Sequence, residues 1–373
     1  GKLYTRSKKR GSIQRILEIL VSHGAPENIL FESHPHIGTN KLPKIVTAMR
    51  ETIEAAGGEI CFSTRVTDLI LTKDEVKGVV LSDGVKRTGE AVVLATGHSA
   101  RDIFEMLYRN NIHLEAKPFA LGVRIEHPQA LIDEIQYHCA GPRDTHLPAS
   151  SYSLVHQSVY KGKERGVFSF CMCPGGFIVP AATAPGEVVV NGMSPSRRNS
   201  RYANSGIVVA VEPEDWKAYQ GPLAAMQFQK MIEQGACEMA GGTQTAPAQR
   251  MVDYVKGRVS ASLPTSSYQP GFASMDLREV LPKEVSIRLT QGLKHFGKVM
   301  KGYMTNEAVL VGVESRTSSP VTLPRNKTSL EHVSIAHLYP CGEGAGYAGG
   351  IVSAAMDGER VADAITAKFS EKV

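Results

Sequence analysis

A glycine-rich segment near the end of the chain is the clearest candidate for chemistry. From Tyr339 to Ile351 it reads Tyr-Pro-Cys-Gly-Glu-Gly-Ala-Gly-Tyr-Ala-Gly-Gly-Ile, with five glycines in nine residues. Glycine lets a ligand approach the backbone, and the N–H groups that begin a following helix favour an anion or a polar oxygen. Glu343 can hold ribose or ribityl hydroxyl groups. The alternative is a tight turn without a ligand, which needs far fewer glycines.

Two cysteines form a second candidate. Cys171 and Cys173 alternate along a predicted strand, so both thiols should share one face. They can form a redox pair, contribute to a metal site, or pack beneath Pro174-Gly175-Gly176. A disulfide across one residue is strained, and C-x-C falls short of a zinc signature. We favour packing, with a catalytic thiol as the alternative.

The remaining candidates are histidines and a basic cluster. We interpret His34 and His36 as structural, although His36 in Pro-His-Ile-Gly-Thr can approach a bound cofactor. The basic residues near the start of the chain are most simply a solvated face, with phosphate steering second: Lys2, Arg6, Lys8, Lys9 and Arg10.

Hydrophobic spacing predicts the helices that precede these candidates. Apolar residues from Ile13 to Leu20 follow helical spacing, and Glu18 interrupts the run that would otherwise resemble a signal peptide. The same spacing from Leu42 to Ala56 predicts a second helix that ends at Gly57-Gly58.

Strands follow in the first hundred residues. The predicted strands are Ile60–Ser63, Val66–Leu71, Val76–Leu81 and Arg87–Ala95. The last two should form a hairpin around Asp83-Gly84. The apolar run Ala91–Ala95 predicts a strand buried on both faces. It ends at Thr96-Gly97, and Ser99–Asp102 has the capping-box spacing that begins a helix.

The pattern changes in the middle of the chain. There, strand candidates alternate with Pro/Gly-rich turns around one long helix: Phe119–Ile125, Gly166–Phe170, Gly176–Pro180, Glu187–Val190 and the helix Leu223–Ala240. Beyond strand-like Ala308–Val313, the segment Val333–Tyr339 and a terminal helix to about Lys368 restore an α/β pattern. We therefore predict an α/β chain with a discontinuous domain, 1–117 and 306–373, and an inserted β-rich domain, 118–305.

Composition narrows the class of protein. The 373 residues are 42% hydrophobic and 21% charged, with a formal net charge of +5. This excludes a disordered chain or a coiled coil. We find no nucleic-acid-binding motif and no apolar run long enough to span a membrane. Six scattered cysteines favour free thiols in a reducing cytoplasm, so we expect a soluble cytoplasmic protein.

Several segments together resemble known flavoproteins. The strand ending in Ala95-Thr96-Gly97 and the loop Gly342–Ile351 resemble the second and third FAD-contact segments of two-domain FAD-dependent oxidoreductases. More narrowly, the chain resembles the bacterial family of uncharacterised FAD-dependent dehydrogenases. The segments that carry this resemblance are Gly1-Lys2-Leu3, Pro35–Thr39, Ala95–Asp102, Cys171–Gly176 and Glu314–Pro320.

The resemblance implies a fold, an activity and a set of site residues. The fold is an FAD/NAD(P)-binding Rossmann-like domain with an inserted substrate domain, and the activity is hydride or electron transfer between a flavin and a small substrate. The implied cofactor-binding residues are Val66, Thr96, Gly97, Arg316, Gly342, Glu343, Gly344, Ala345, Gly346, Gly349, Gly350 and Ile351. Thr317 and Ser318 would line the flavin side of an interdomain cleft beside Arg316. The catalytic candidates are Cys171, Cys173 and Arg316, and no acid or base is identified.

One departure from the family pattern concerns the phosphate-binding motif. Such enzymes open with strand–G-x-G-x-x-G–helix, and this sequence contains no such motif. Either the native polypeptide is longer, or the chain binds FAD poorly; we favour the first. No second motif for a nicotinamide nucleotide occurs either, so NAD(P)H would visit only transiently.

Two rival functions remain open on the sequence alone. A flavoprotein that modifies RNA should carry a basic patch in the inserted domain, where basic residues are instead dispersed among acidic ones. A non-catalytic flavin-binding or interaction protein would explain the missing phosphate motif.

Overall fold

The computed structural model describes Leu3 and residues 11–370. The first part contains α1 (Ile13–Ser22), α2 (Leu42–Ala55), β1 (Val66–Thr72), β2 (Glu75–Leu81), β3 (Lys86–Thr88), β4 (Val92–Leu94), α3 (Arg101–Arg109) and β5 (Glu115–Ala116). The middle contains β6 (Phe119–Pro128), α4 (Gln129–Tyr137), β7 (Val155–Tyr160), β8 (Lys163–Cys173), β9 (Phe177–Pro180), β10 (Val190–Met193), β11 (Tyr202–Val211), α5 (Ala224–Met239), β12 (Ala246–Arg250), α6 (Met251–Lys256), β13 (Phe272–Ser274), α7 (Leu277–Val280), α8 (Lys283–Val299) and β14 (Val309–Glu314). The last part contains β15 (Val321–Thr322), β16 (Leu338–Pro340) and α9 (Ile351–Ser370).

The largest sheet has seven strands in the order β13-β12-β14-β6-β11-β8-β7. All its neighbours are antiparallel except β12 and β13. Helices α5 and α8 pack against it, and side chains such as Val123, Ile207 and Leu289 are fully buried between them. Because β6 and β11 have neighbours on both sides and are covered by helices, nearly all of their residues are buried, including Arg124, Glu126 and His127 of β6.

Smaller sheets lie in the first and last parts of the chain. β4 and β16 form a parallel pair, although the whole middle of the chain separates them. β1, β2 and β3 form an antiparallel sheet, and the Val76 N–H donates to Ala336 O just before β16. Leu94, Leu107 and Leu338 share one buried cluster beneath these strands.

The mixed α/β fold class is confirmed, and all five predicted helices are present, as α1, α2, α3, α5 and α9. Ile60–Ser63 is wrong as a strand. The predicted strand Arg87–Ala95 is two strands, because β3 pairs with β2 whereas β4 pairs with β16. Within the described residues β4 has a neighbour on one side only, and its Val93 is 44% exposed rather than buried on both faces.

Three further details differ from the sequence predictions. α3 is preceded by Ala100 without a side-chain cap, so the predicted capping box does not form. The predicted strand Glu187–Val190 is displaced, because β10 spans Val190–Met193, and the predicted strand Val333–Tyr339 is shortened to β16, Leu338–Pro340. Hydrogen bonding to a neighbouring strand decides these bounds, and apolar composition does not encode it.

The predicted domain boundary at residue 305 falls just before β14. That strand lies between β12 and β6 in the seven-stranded sheet. We keep the two-domain division as a proposal, with β14 assigned to the inserted domain rather than to the discontinuous one. In the part of the chain that the structure describes, no helix combines the length and the apolar character needed to cross a membrane.

Candidate functional site

The glycine-rich loop leaves the parallel pair of β4 and β16 and leads into α9. The Cys341 N–H donates to Leu94 O at 3.0 Å, which extends the pairing by one residue. Gly342 and Gly346 have φ values of +73° and +87°, a region that residues with a Cβ rarely adopt. The loop therefore needs glycine at both positions to turn back toward the start of α9.

The two glycine-bearing segments predicted from the sequence contact each other directly. A Cβ at Gly344 would lie 2.4 Å from the Gly97 carbonyl oxygen, so the two backbones pack with no space for a side chain. Gly97 itself has a φ of +75°. The Ser319 hydroxyl donates to Gly344 O at 3.1 Å from the other side. The structure thus brings Thr96-Gly97 and the loop into one unit.

A buried ion pair supports the loop from below. Asp357 of α9 accepts the Gly342 N–H at 2.8 Å and two hydrogen bonds from Arg325 at 2.9 and 2.5 Å. Arg325 also donates to Pro340 O at 2.6 Å, and its guanidinium lies 4.0 Å from the centre of the Tyr347 ring. Burial opposes ionisation of Asp357, but these hydrogen bonds outweigh it and lower its pKa. The sequence analysis missed both residues.

The far end of the loop is open. A Cβ at Gly349 or Gly350 would meet nothing within 4 Å, and Ile351, the first residue of α9, is 44% exposed. The first N–H groups of a helix have no intrahelical acceptor. Among the described residues, nothing accepts from the N–H of Gly350 or Ile351. These donors are available to a ligand.

Glu343 and Lys117 place two half-buried charges beside the loop. Burial raises the pKa of Glu343, and the nearby Lys117 ammonium partly offsets this. Burial likewise lowers the pKa of Lys117. A Cβ at Gly346 would come within 3.3 Å of the Lys117 side chain, so that side chain packs on the loop. In the described part of the chain the Glu343 carboxylate has no ion pair within 4 Å, which leaves it to interact with ligand hydroxyl groups.

Arg316, predicted to bind cofactor or take part in catalysis, lies in a buried ion network. Its guanidinium donates to Glu187 at 2.8 Å and to Glu233 at 2.9 and 3.1 Å. Arg101 of α3 donates to the same two carboxylates at 2.8 Å. Both glutamate side chains are 0% exposed. The network joins α3 and α5 to the segment that follows β14 and to the segment that precedes β10. Its hydrogen bonds do not include the loop.

The neighbours of Arg316 and the predicted adenine strand are also placed. Thr317 is buried, and its hydroxyl donates to Ala120 O at 2.9 Å. In the segment Glu314–Pro320, Ser319 is the residue whose side chain reaches the loop. Val66 begins β1 opposite Leu81. Among the described residues, no hydrogen bond connects Val66 with the glycine-rich loop.

The cysteine pair lines a separate cavity. Cys171 and Cys173 face a space of about 500 Å³ together with His34, His36 and Arg198. Regular alternation of side chains along β8 is not what places both thiols at this cavity. β8 bulges where it pairs with β11, and Cys171 has a φ of +44°. His36 Nε2 lies 3.1 Å from Pro195 O, and because a carbonyl oxygen only accepts, this nitrogen carries the proton and donates.

The other candidates from the sequence have simpler outcomes. The basic cluster Lys2, Arg6, Lys8, Lys9 and Arg10 lies outside the described residues. Among the residues that the structure does describe, no group of three His, Cys, Asp or Glu side chains is arranged to hold a metal ion.

Interlocked turns at the ends of two parallel strands, followed by an open helix start, define a dinucleotide-binding unit of Rossmann-like type. Comparison with known families identifies it further. Residues 118–317 match the family described as "FAD-dependent protein, C-terminal domain-like", and residues 34–147 match "FAD dependent oxidoreductase". The chain belongs to this family of FAD-dependent proteins, and the family predicted from the sequence is confirmed.

Two individual proteins are similar to the chain. An uncharacterized protein from Clostridium beijerinckii is 46% identical over 373 residues, which cover 99% of this chain and 68% of that protein. An oxidoreductase of known structure from Methanosarcina mazei is 13% identical, with a TM-score of 0.32. That match covers 86% of this chain and 54% of the other, so the chain spans about half of its length.

FAD is the cofactor of both matching families, as predicted. The residues present fit a dinucleotide. The N–H donors of Gly350 and Ile351 suit phosphate or ring oxygen atoms, the Glu343 carboxylate suits hydroxyl groups, and Lys117 supplies a cation for negative charge.

Proposed function

We propose that the chain carries the FAD site of an oxidoreductase that transfers a hydride or electrons between a small-molecule substrate and the flavin. The observation that carries this proposal is the contact of Gly344 with Gly97, which builds one open cradle from the two predicted cofactor segments. The family membership supports the same function. When bound, FAD supplies the redox chemistry, and the protein supplies binding, orientation and electrostatics.

Each loop residue has a proposed role. The N–H groups of Gly350 and Ile351 stabilise negative charge at the pyrimidine end of the ring system, because they begin α9 and carry the positive end of its dipole. Glu343 binds ribityl hydroxyl groups. Gly342, Ala345 and Gly346 hold the loop in shape beside the pyrophosphate.

The remaining predicted cofactor residues lie outside the glycine-rich loop and have other proposed roles. Thr96-Gly97 passes close to the dinucleotide because Gly97 touches Gly344. Val66 offers backbone hydrogen bonds to the adenine. Arg316 is a positioning residue rather than a catalytic one, since its guanidinium is committed to Glu187 and Glu233.

The wider setting of the reaction follows from the same features. We propose a small-molecule substrate, with NAD(P)H as a transient electron donor at most. We also propose a cytoplasmic location, because six cysteines scattered over a long chain are typical of proteins from a reducing compartment. RNA modification is not favoured, because the basic residues of the inserted domain are dispersed among acidic ones.

Flavin retention by the full-length polypeptide tests the proposal. Gly344→Ala introduces a Cβ 2.4 Å from Gly97 O and should separate the two turns. We expect FAD affinity to fall at least tenfold, about 1.4 kcal/mol, and Glu343→Ala to weaken binding as well. The matched control is Gly358→Ala on α9, where a Cβ meets nothing within 4 Å. Visible absorption after gel filtration measures bound flavin.

Two outcomes would contradict the proposal. Equal flavin retention in Gly344→Ala and Gly358→Ala, with both variants folded by circular dichroism, would remove the loop from the cofactor site. A full-length polypeptide that binds FAD but cannot be reduced anaerobically by photoreduction or NAD(P)H would favour the non-catalytic alternative.

A further inference from the structure

The cavity lined by Cys171 and Cys173 is formed by two distant parts of the chain. One wall is the segment His34–Thr39, and the other is formed by β8, β10 and the turn that follows β10. The Thr39 N–H and hydroxyl both donate to Ser194 O, at 3.1 and 2.8 Å. A Cβ at Gly38 would lie 2.3 Å from the Ser196 nitrogen, so the two backbones are in direct contact. The walls are therefore fixed against each other.

The segment that forms the first wall is linked to α9 through a buried apolar cluster. Ile37, from the first wall, packs in the same buried cluster as Val352 and Met356 of α9. Val352 directly follows Ile351, whose N–H we assign to the cofactor.

Arg198 gives the cavity its charge. Its Nε is buried and has no hydrogen-bond partner, and among the described residues the guanidinium has no ion pair. Other buried arginines are each bound to carboxylate or carbonyl oxygen atoms: Arg101, Arg124, Arg165, Arg288, Arg316 and Arg325. Burial lowers the pKa of Arg198, which records the cost of leaving this charge partly desolvated.

The backbone holds Arg198 in an uncommon conformation. Its φ is +47°, and Gly175 packs so closely that a Cβ there would overlap the Arg198 carbonyl group. The Ser200 N–H donates to Gly175 O at 3.2 Å and closes this turn. Backbone conformations of this kind occur preferentially at ligand sites. Here the conformation keeps the Arg198 side chain at the cavity.

The rest of the described lining contains no lysine or arginine. It includes hydroxyl groups, the two thiols and His36, whose pKa is lowered to about 4 by burial. None of the described lining residues is aspartate or glutamate. Glu32 and Cys173 both favour the charged form of Arg198. Glu32 is exposed and does not line the cavity, whereas Cys173 does. An unpaired cation in such a lining selects an anion.

We propose that this cavity is the substrate site and that it takes a small organic carboxylate, whose charged group pairs with the Arg198 guanidinium. A carboxylate matches the planar guanidinium with two parallel hydrogen bonds, and a volume of about 500 Å³ suits a small metabolite. This inference rests on the proposed flavoprotein function, because it names the substrate class of that same reaction.

Binding of defined probes to the flavin-containing full-length protein tests this inference. The probes are propionate, hexanoate, benzoate and phenylacetate, each paired with its uncharged primary amide, and inorganic phosphate at equal ionic strength. We expect at least one carboxylate to bind at least tenfold more tightly than its amide by calorimetry. The same carboxylate should slow alkylation of Cys171 and Cys173 by a neutral maleimide.

Substitutions of Arg198 then test whether its positive charge binds the carboxylate. Arg198→Gln should reduce carboxylate affinity at least tenfold, Arg198→Lys should retain part of it, and Arg197→Gln at the exposed neighbouring position should leave it unchanged. All three variants should keep their flavin spectrum. If Arg198→Gln fails to fold, the comparison of Arg198→Lys with the parent protein carries the test.

The outcomes separate this inference from the proposed function. A flavin-containing protein that binds none of the carboxylates, that binds amides equally well, or that binds only phosphate overturns the carboxylate assignment alone. Undiminished carboxylate affinity in Arg198→Gln overturns the role of Arg198. A full-length protein without flavin, even after reconstitution, overturns the proposed function instead.

Discussion

Replacing Arg316 with methionine separates a structural role for this residue from a catalytic one. In the native protein Arg101 and Arg316 balance Glu187 and Glu233, whose side chains are 0% exposed. Arg316→Met leaves two buried carboxylates with one guanidinium. Removing one partner of a buried ion pair costs about 3–5 kcal/mol, because the remaining charge is uncompensated. We expect the free energy of unfolding to fall by that amount.

A second substitution tests the cause of the loss. In the double variant Arg316→Met/Glu187→Gln the buried charges balance again, so it should be less destabilised than the sum of its single variants by at least 1 kcal/mol. The pH dependence has a defined sign. Burial raises the pKa of Glu187, Glu233 raises it further, and the two arginines lower it. Without Arg316 the pKa of Glu187 rises further, so the folded variant binds a proton more readily. The loss of stability of the variant relative to the native protein therefore shrinks as pH falls from 8 to 5.

Urea unfolding at saturating FAD measures these free energies, and anaerobic flavin reduction measures the chemistry. The positioning role of Arg316 is contradicted if Arg316→Met changes the free energy of unfolding by less than about 0.5 kcal/mol while slowing flavin reduction tenfold or more. That result would make Arg316 a catalytic residue. Loss of stability with an unchanged reduction rate in the folded fraction supports the positioning role.

Two further predictions concern stability. Gly38→Ala should lower the free energy of unfolding by at least 1 kcal/mol more than Gly24→Ala in thermal unfolding. Both glycines have similar φ values, +99° and +95°, which alone cost a residue with a Cβ about 1–2 kcal/mol. Of these two positions, Gly38 is the one where the added Cβ would collide, because it would meet Ser196. Equal losses would mean that the Ser196 turn moves aside freely. His127 is fully buried, and burial lowers its pKa to about 4, so its contribution is present above the unfolded value of roughly 6.5 and is lost as pH falls toward 4. His127→Gln should therefore reduce the loss of stability between pH 7 and 4.5 by about 2–3 kcal/mol in urea titrations, and parallel pH curves for the two proteins would refute this.

Features with a local sequence signal were predictable. The helices α1, α2 and α5 have apolar residues at helical spacing, and the structure contains all three. The glycine-rich loop between β16 and α9 was predictable as a loop, because its glycines lie close together in the sequence. Its contact with Gly97 follows from two strand ends that each terminate in glycine, because such ends meet at one edge of a parallel sheet.

Features that depend on distant partners were not predictable. Arg325 supports the loop through Asp357, yet nothing in the sequence around either residue indicates the other. Arg316 stood in a Thr-Ser-Ser-Pro context that favoured a site role, whereas its environment is set by two glutamates from another part of the chain. The shared cavity of Cys171 and Cys173 depends on a bulge, and Cys-Met-Cys carries no signal for one.

The parallel pairing of β4 with β16 has a consequence for how the protein matures. Val92 pairs with Leu338, so the contact between Gly97 and Gly344 cannot form until the intervening chain has been synthesised and β4 and β16 have met. Closing so long a loop is entropically costly and slow compared with local structure. If this contact carries the flavin site, as we propose, newly synthesised protein should acquire its yellow colour late, after β4 and β16 have paired.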